Sequence, residues 1–269
     1  MPHTKRWISA IVLTLLLLWI ILLSKPFVLC IFLWFMSILG LNEYFNLVFF
    51  KKPIGFIVKA ISYIISAMLF ISVFYGEFEL TAFILCLNFF CFACFALWRY
   101  PIENNFLKIV FKQSFGIIYI PLSLSFLMII RNYSDGHLWL VLFFIIIFLN
   151  DTGAFYVGTY FGKRELAPLI SPKKTIEGAL GGILSAMLFG FAFCLIFFNS
   201  LKHAFLMIPI SFVIAIIGQA GDLFASLMKR NSNIKDSGNI IPGHGGVLDR
   251  IDNLLFAAPI MYFCLRFIL

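Results

Sequence analysis

The run LWLVLFFIIIFLNDTGAFYV, residues 138–157, decides how the chain folds. Twelve apolar residues precede Asn150 and Asp151 without a break. At about 1.5 Å rise per residue, twenty helical residues match a hydrocarbon core of about 30 Å. A membrane barrel would instead show short alternating strands. The run therefore predicts a membrane-crossing helix with a polar pair near one end, and other runs of similar length flank it.

Apolar runs at 7–23, 27–49, 54–74, 78–98, 114–130, 137–157, 176–198, 204–227 and 251–269 predict about nine transmembrane helices. The chain is 62% hydrophobic and 12% charged, whereas a water-facing domain carries about 25% charged residues. These features give an all-α, polytopic integral membrane protein with one transmembrane domain over residues 1–269. The first run follows Lys5 and Arg6 without a small-residue cleavage site, and it reads as a retained span. Cys30, Cys86, Cys91, Cys94, Cys194 and Cys264 all fall in apolar runs and read as small buried hydrophobes. The Cys91, Cys94 pair lacks the second ligand pair that a zinc site needs.

The formal charge of +8 comes from lysines and arginines placed between spans, where anionic lipid headgroups attract them, so nucleic acid is not expected as a partner. An N-terminus in the cytoplasm puts fifteen basic residues on the inner side against four outside. This asymmetry predicts a multi-pass protein of the inner (plasma) membrane whose long late loops, residues 159–175 and 228–250, face the cytoplasm.

Seven of the twelve acidic residues lie between positions 151 and 252, although a carboxylate within a bilayer costs about 2.5 kcal/mol or more. Cations or water must compensate them. The segment Ser171, Pro172, Lys173, Lys174, Thr175, Ile176, Glu177 reads as a capped helix start with two lysines at its mouth, where a phosphate could bind. Gly178, Gly182, Ala186 and Gly190 form a small-residue stripe that predicts close helix packing. Asp222, Ser226, Lys229 and Arg230 share one helical face, as do Asp249 and Asp252 at the start of the last span. Carboxylates from two helices can thus converge on a hard cation such as Mg²⁺, with Asp222, Asp249 and Asp252 as ligands. The plainer reading makes Asp249 a helix cap and Asp252 a dipole partner. Gly245 and Gly246 allow backbone N–H groups to approach phosphate. His244 reads as a metal ligand or general acid, or as a hydrogen-bonding group in the turn.

The ordered elements S-x-x-K-R (226–230), K-D-x-G (235–238), P-x-H-G-G (242–246) and D-R-x-D (249–252) resemble the signature of the phosphatidate cytidylyltransferase family. Asp151 in N-D-T-G-A-F-Y and the S-P-K-K-T-x-E-G segment resemble it too, so the signature-bearing half covers approximately 150–252. Ala225 stands where such proteins often carry an acidic residue. The resemblance implies that CTP and phosphatidic acid yield CDP-diacylglycerol and pyrophosphate, with Mg²⁺ and a second cation as an option. It points to Asp222, Asp249, Lys229, Arg230, Lys235, Asp236, His244 and Arg250 for catalysis. Asp151, Ser171, Lys173, Lys174, Glu177, Ser226, Gly245 and Gly246 are the expected substrate contacts. Membrane lipids and a homodimer partner are expected by resemblance only. A cytidylyltransferase for another lipid phosphate and an ion-coupled transporter are the alternatives.

Overall fold

The computed structural model of the protein describes residues 12, 14–51, 54–99, 106–238, 240 and 245–268. Lipid offers no hydrogen bonds, so backbone groups must pair within each apolar run, and helices result. They are α1 (Pro26–Val48), α2 (Phe56–Phe74), α3 (Phe78–Arg99), α4 (Phe106–Ile117), α5 (Ser123–Arg131), α6 (Gly136–Phe161), α7 (Ile176–Phe197), α8 (Leu201–Asn231) and α9 (Leu248–Ile268). A π-helical turn over Ile118–Leu122, with Pro121 inside it, joins α4 to α5. Proline supplies no N–H to the helical ladder, and a local widening absorbs that loss.

Seven stretches among the described residues are long and apolar enough to cross a membrane, and they match the second to eighth expected runs. The fifth begins at Leu107 rather than at 114, because the amphipathic start of α4 continues the same helix. Of the first expected span, residues 14–22 are described as helical. The last, α9, is helical as expected and carries Asp249, Arg250 and Asp252 in its opening turns.

One element was not expected. The segment Ser171–Thr175 is a strand paired antiparallel with Glu165–Ala167, and these are β2 and β1. Ser171 and Pro172 are therefore not the cap and first turn of the following helix. Thr175 is the cap, and its side chain accepts a bond from Gly178 N at 3.1 Å. The hairpin closes the helical end by a further bond from Ile176 N to Arg164 O at 2.9 Å. The cysteines also differ from expectation. Cys30 and Cys194 are buried, whereas Cys86, Cys91 and Cys94 lie exposed on α3, on apolar surface suited to lipid.

The helices α6, α7, α8 and α9 pack in sequence, and α6 with α7 is the most intimate pair. The small-residue stripe explains it. A Cβ on Gly182 would sit 2.5 Å from the Asn150 backbone oxygen, and one on Gly178 would sit 2.7 Å from the Ala154 backbone oxygen. Lipid cannot draw two helices together by a hydrophobic force, so close backbone approach does that work. The contact holds Asn150 against α7.

Replacing Gly182 by valine should destabilise the protein by about 1–3 kcal/mol, since a rigid backbone oxygen must give way. The control Leu184→Ala alters an exposed side chain and should leave the unfolding temperature nearly unchanged. Thermal unfolding of both variants in detergent provides the check.

Candidate active site

Five helices bring polar ends to one end of the bundle: the C-terminal parts of α1, α6 and α8, and the first turns of α7 and α9. The hairpin lies over them. Lys174 on β2 reaches Asp222 on α8, with Nζ 2.6 Å from Oδ2. Lys229, seven residues on along α8, reaches Asp249 on α9, with Nζ 2.7 Å from Oδ1. The first pair is about one third exposed, while Lys229 and Asp249 are 13% and 10% exposed. The second pair is thus largely removed from water, where a charge without its partner is costly.

Asp249 is fixed at its other oxygen as well. Oδ2 accepts from Ser237 N at 2.9 Å and from Gly246 N at 3.2 Å. Gly245 adopts φ +83° beside it, a conformation that favours glycine. Asp249 therefore does not simply cap its own helix. The carboxylate capping α9 belongs to Glu43 of α1, which accepts from Val247 N at 3.0 Å and from Leu248 N at 2.8 Å.

Asp151 is held from α9, where its Oδ2 accepts from Asn253 Nδ2 at 2.7 Å. Gln219 of α8 donates to Asn150 Oδ1 at 2.8 Å and to Ala179 O at 3.1 Å, tying α6, α7 and α8 together. Asp252 is buried, and Asp222, Lys229 and Asp249 all act electrostatically on its carboxyl group. Asp151, Asp222, Asp249 and Asp252 are therefore electrostatically linked.

Two hollows flank the ion pairs. One, of about 410 Å³, lies among α6, α7, α8 and the hairpin, with Asp151, Lys174 and Asp222 in its lining. The other, of about 240 Å³, lies between the hairpin and the end of α8, with Ser171, Ser226, Arg230, Lys235 and Asp236 around it. Lys173 borders both. Ser226 donates to Asp222 Oδ1 at 3.4 Å, and Arg230 donates through Nε to Ile170 O at 3.1 Å. Arg250 contributes positive charge at Asp151. Glu177 is placed apart. It accepts from Lys163 N, Arg164 N and Arg164 Nε at 3.0, 3.1 and 3.2 Å, which anchors the start of the hairpin. His244 lies outside the described residues.

The model of the cytidylyltransferase family matches residues 4–268, nearly the whole chain. The chain belongs to the cytidylyltransferase family. Among curated relatives, the phosphatidate cytidylyltransferase of Bacillus subtilis (strain 168) is 42% identical over 149 residues, which is 55% of each chain. Those named phosphatidate cytidylyltransferase in Staphylococcus haemolyticus and Staphylococcus epidermidis are 38% and 40% identical over 138 residues, 51% of this chain and 53% of theirs. The aligned stretch thus spans about half the length of the relatives it matches.

Three side chains of this candidate site are not apparent from its motifs. Gln219 and Asn253 sit within three residues of expected acidic positions, and a polar side chain in an apolar helix is their signal. Glu43 belongs to the first half, and a lone carboxylate inside an apolar run was its signal.

Lys229→Met should strand Asp249 and destabilise the protein by about 3 kcal/mol. The double variant Lys229→Met, Asp249→Leu should recover part of that loss. Thermal unfolding of the two proteins, measured in the same detergent, would show whether the pair acts as a unit.

Proposed function

We propose that the protein transfers a cytidylyl group from CTP to phosphatidic acid, giving CDP-diacylglycerol and pyrophosphate. An anionic oxygen of the lipid phosphate attacks the α-phosphorus of CTP. The bond from that phosphorus to the bridging oxygen breaks, and pyrophosphate leaves with the electron pair. The nucleophile is already charged at neutral pH, so no strong base is needed. What the reaction requires is positive charge around two polyanions, in fixed positions. The observation that carries this reading is the meeting of Lys174 with Asp222 and Lys229 with Asp249, side by side on α8, with Lys173 and Arg230 nearby.

The residues suit a magnesium ion by their donor chemistry. Among the described residues no group of three or more His, Cys, Asp and Glu side chains forms a metal site. Mg²⁺ commonly takes only one or two carboxylates and completes its shell with water and substrate phosphate oxygens. Asp222 and Asp249 supply two such carboxylates, and Asn253 Oδ1 is a buried oxygen without a partner near Asp252. When bound, the ion would neutralise phosphate charge and polarise the phosphoryl oxygens.

The two hollows suit two phosphate-bearing substrates. The larger has the exposed Phe155 in its wall, which suits a lipid whose tails remain in the bilayer, and Lys174 would meet its phosphate. The smaller is ringed by Lys229, Arg230 and Lys235, a donor set suited to a triphosphate. Lys173, between them, is placed to contact both. The charge pattern of the loops supports a cytoplasmic location for this end of the bundle, where CTP arrives from water.

Purified protein with CTP, phosphatidic acid and Mg²⁺ should release CDP-diacylglycerol, and chelation of the metal should abolish turnover. Asp222→Asn and Asp249→Asn should each reduce kcat at least about 100-fold, a loss typical of removing an electrostatic stabiliser, while both variants still insert into membranes. Product measured with labelled CTP is the test. Near-normal rates in either variant would remove that carboxylate from the reaction, and a panel of other lipid phosphates would expose a different acceptor.

A further inference from the structure

Glu43 is 2% exposed, lies in the apolar helix α1 and is separated by about 200 residues from the motifs it touches. An acidic side chain at such a place needs compensation, and Glu43 obtains it from the loop before α9. Oε1 accepts from Val247 N at 3.0 Å, and Oε2 accepts from Leu248 N and from Ser237 Oγ, both at 2.8 Å. At Gly238 and Gly246 the loop backbone closes directly on the carboxylate. A Cβ on Gly238 would lie 2.5 Å from Oε1, and a Cβ on Gly246 would lie 2.5 Å from Oε2.

The same loop residues hold Asp249. Ser237 sends its hydroxyl to Glu43 and its backbone N–H to Asp249 Oδ2. Gly246 gives its N–H to Asp249 Oδ2, and Val247, the next residue, gives its N–H to Glu43. Two carboxylates from α1 and α9 thus grip one loop from either side, and moving Glu43 would move both N–H donors of Asp249.

Resting on the cation-assisted reaction above, we propose that Glu43 is a positioning residue that sets the orientation of Asp249 for the metal through Ser237 and the turn at 246–248. A group that orients a metal-binding carboxylate typically changes metal affinity about 10- to 100-fold when altered. A residue that only capped α9 would affect stability and leave cation affinity alone.

The test uses the full chain in detergent micelles and compares wild type with Glu43→Gln, Glu43→Asp and Ser237→Ala. Glutamine keeps the size but offers one acceptor oxygen for three donors. The Mg²⁺ concentration for half-maximal turnover should rise at least about 10-fold in Glu43→Gln, while kcat at saturating Mg²⁺ stays within about threefold of wild type. Without substrate, the Mg²⁺-induced rise in unfolding temperature should move to higher Mg²⁺ by a similar factor. Glu43→Asp should recover part of the shift. Ser237→Ala, which keeps the backbone donor to Asp249, should show a smaller shift in the same direction, and it decides the matter if Glu43→Gln does not fold. Unchanged Mg²⁺ dependence in both readouts, in an active wild-type background, would overturn the proposal. Absence of CTP turnover by wild type would instead overturn the reaction on which it rests.

Discussion

The ion pair between Lys229 and Asp249 joins the last two helices at the end of the bundle where the polar groups of the late motifs gather. It is the point at which a costly charge near the membrane is made tolerable. Asp249 needs a cation because it is mostly shielded from water, and Lys229 supplies one from a helical face that also presents Asp222. Lys174 on the hairpin then compensates Asp222. Basic residues and aspartates both line the two hollows. In the proposed reaction such a site would exchange its internal pairing for phosphate oxygens and a metal ion.

Packing elsewhere serves this arrangement. The glycine stripe on α7 brings α6 close enough for Asn150 to meet Gln219, and Asp151 is then held from α9 by Asn253. Glu43 ties the first half of the chain to the loop that bears the late motifs. The apolar first half is thus part of the site's framework. A bundle of the last four helices alone would lack the carboxylate that holds the 237–248 loop.

Much of this was legible in the sequence. Span length and hydropathy located seven helices because hydrocarbon thickness leaves few solutions. The helical period placed Asp222 and Lys229 on one face, and the glycine spacing announced the α6 and α7 contact. What was hidden had no local pattern. Ser171 to Thr175 carries residues that suit either a helix start or an extended edge, and pairing with Glu165–Ala167 selected the strand. The partner of Glu43 lies far along the chain, so neither spacing nor composition could name it. Glu177 follows two lysines in a motif yet turns to the backbone of residues 163 and 164, a choice that only the hairpin's closure makes.

The central claim is that carboxylates on separate helices hold a cation against a nucleotide's phosphates. Electron paramagnetic resonance of Mn²⁺, added in place of Mg²⁺ to the purified protein with CTP, tests it most directly. Protein-bound Mn²⁺ that CTP tightens, and that is lost in both Asp222→Asn and Asp249→Asn, is the result this account demands. Mn²⁺ held equally well by both variants would contradict it.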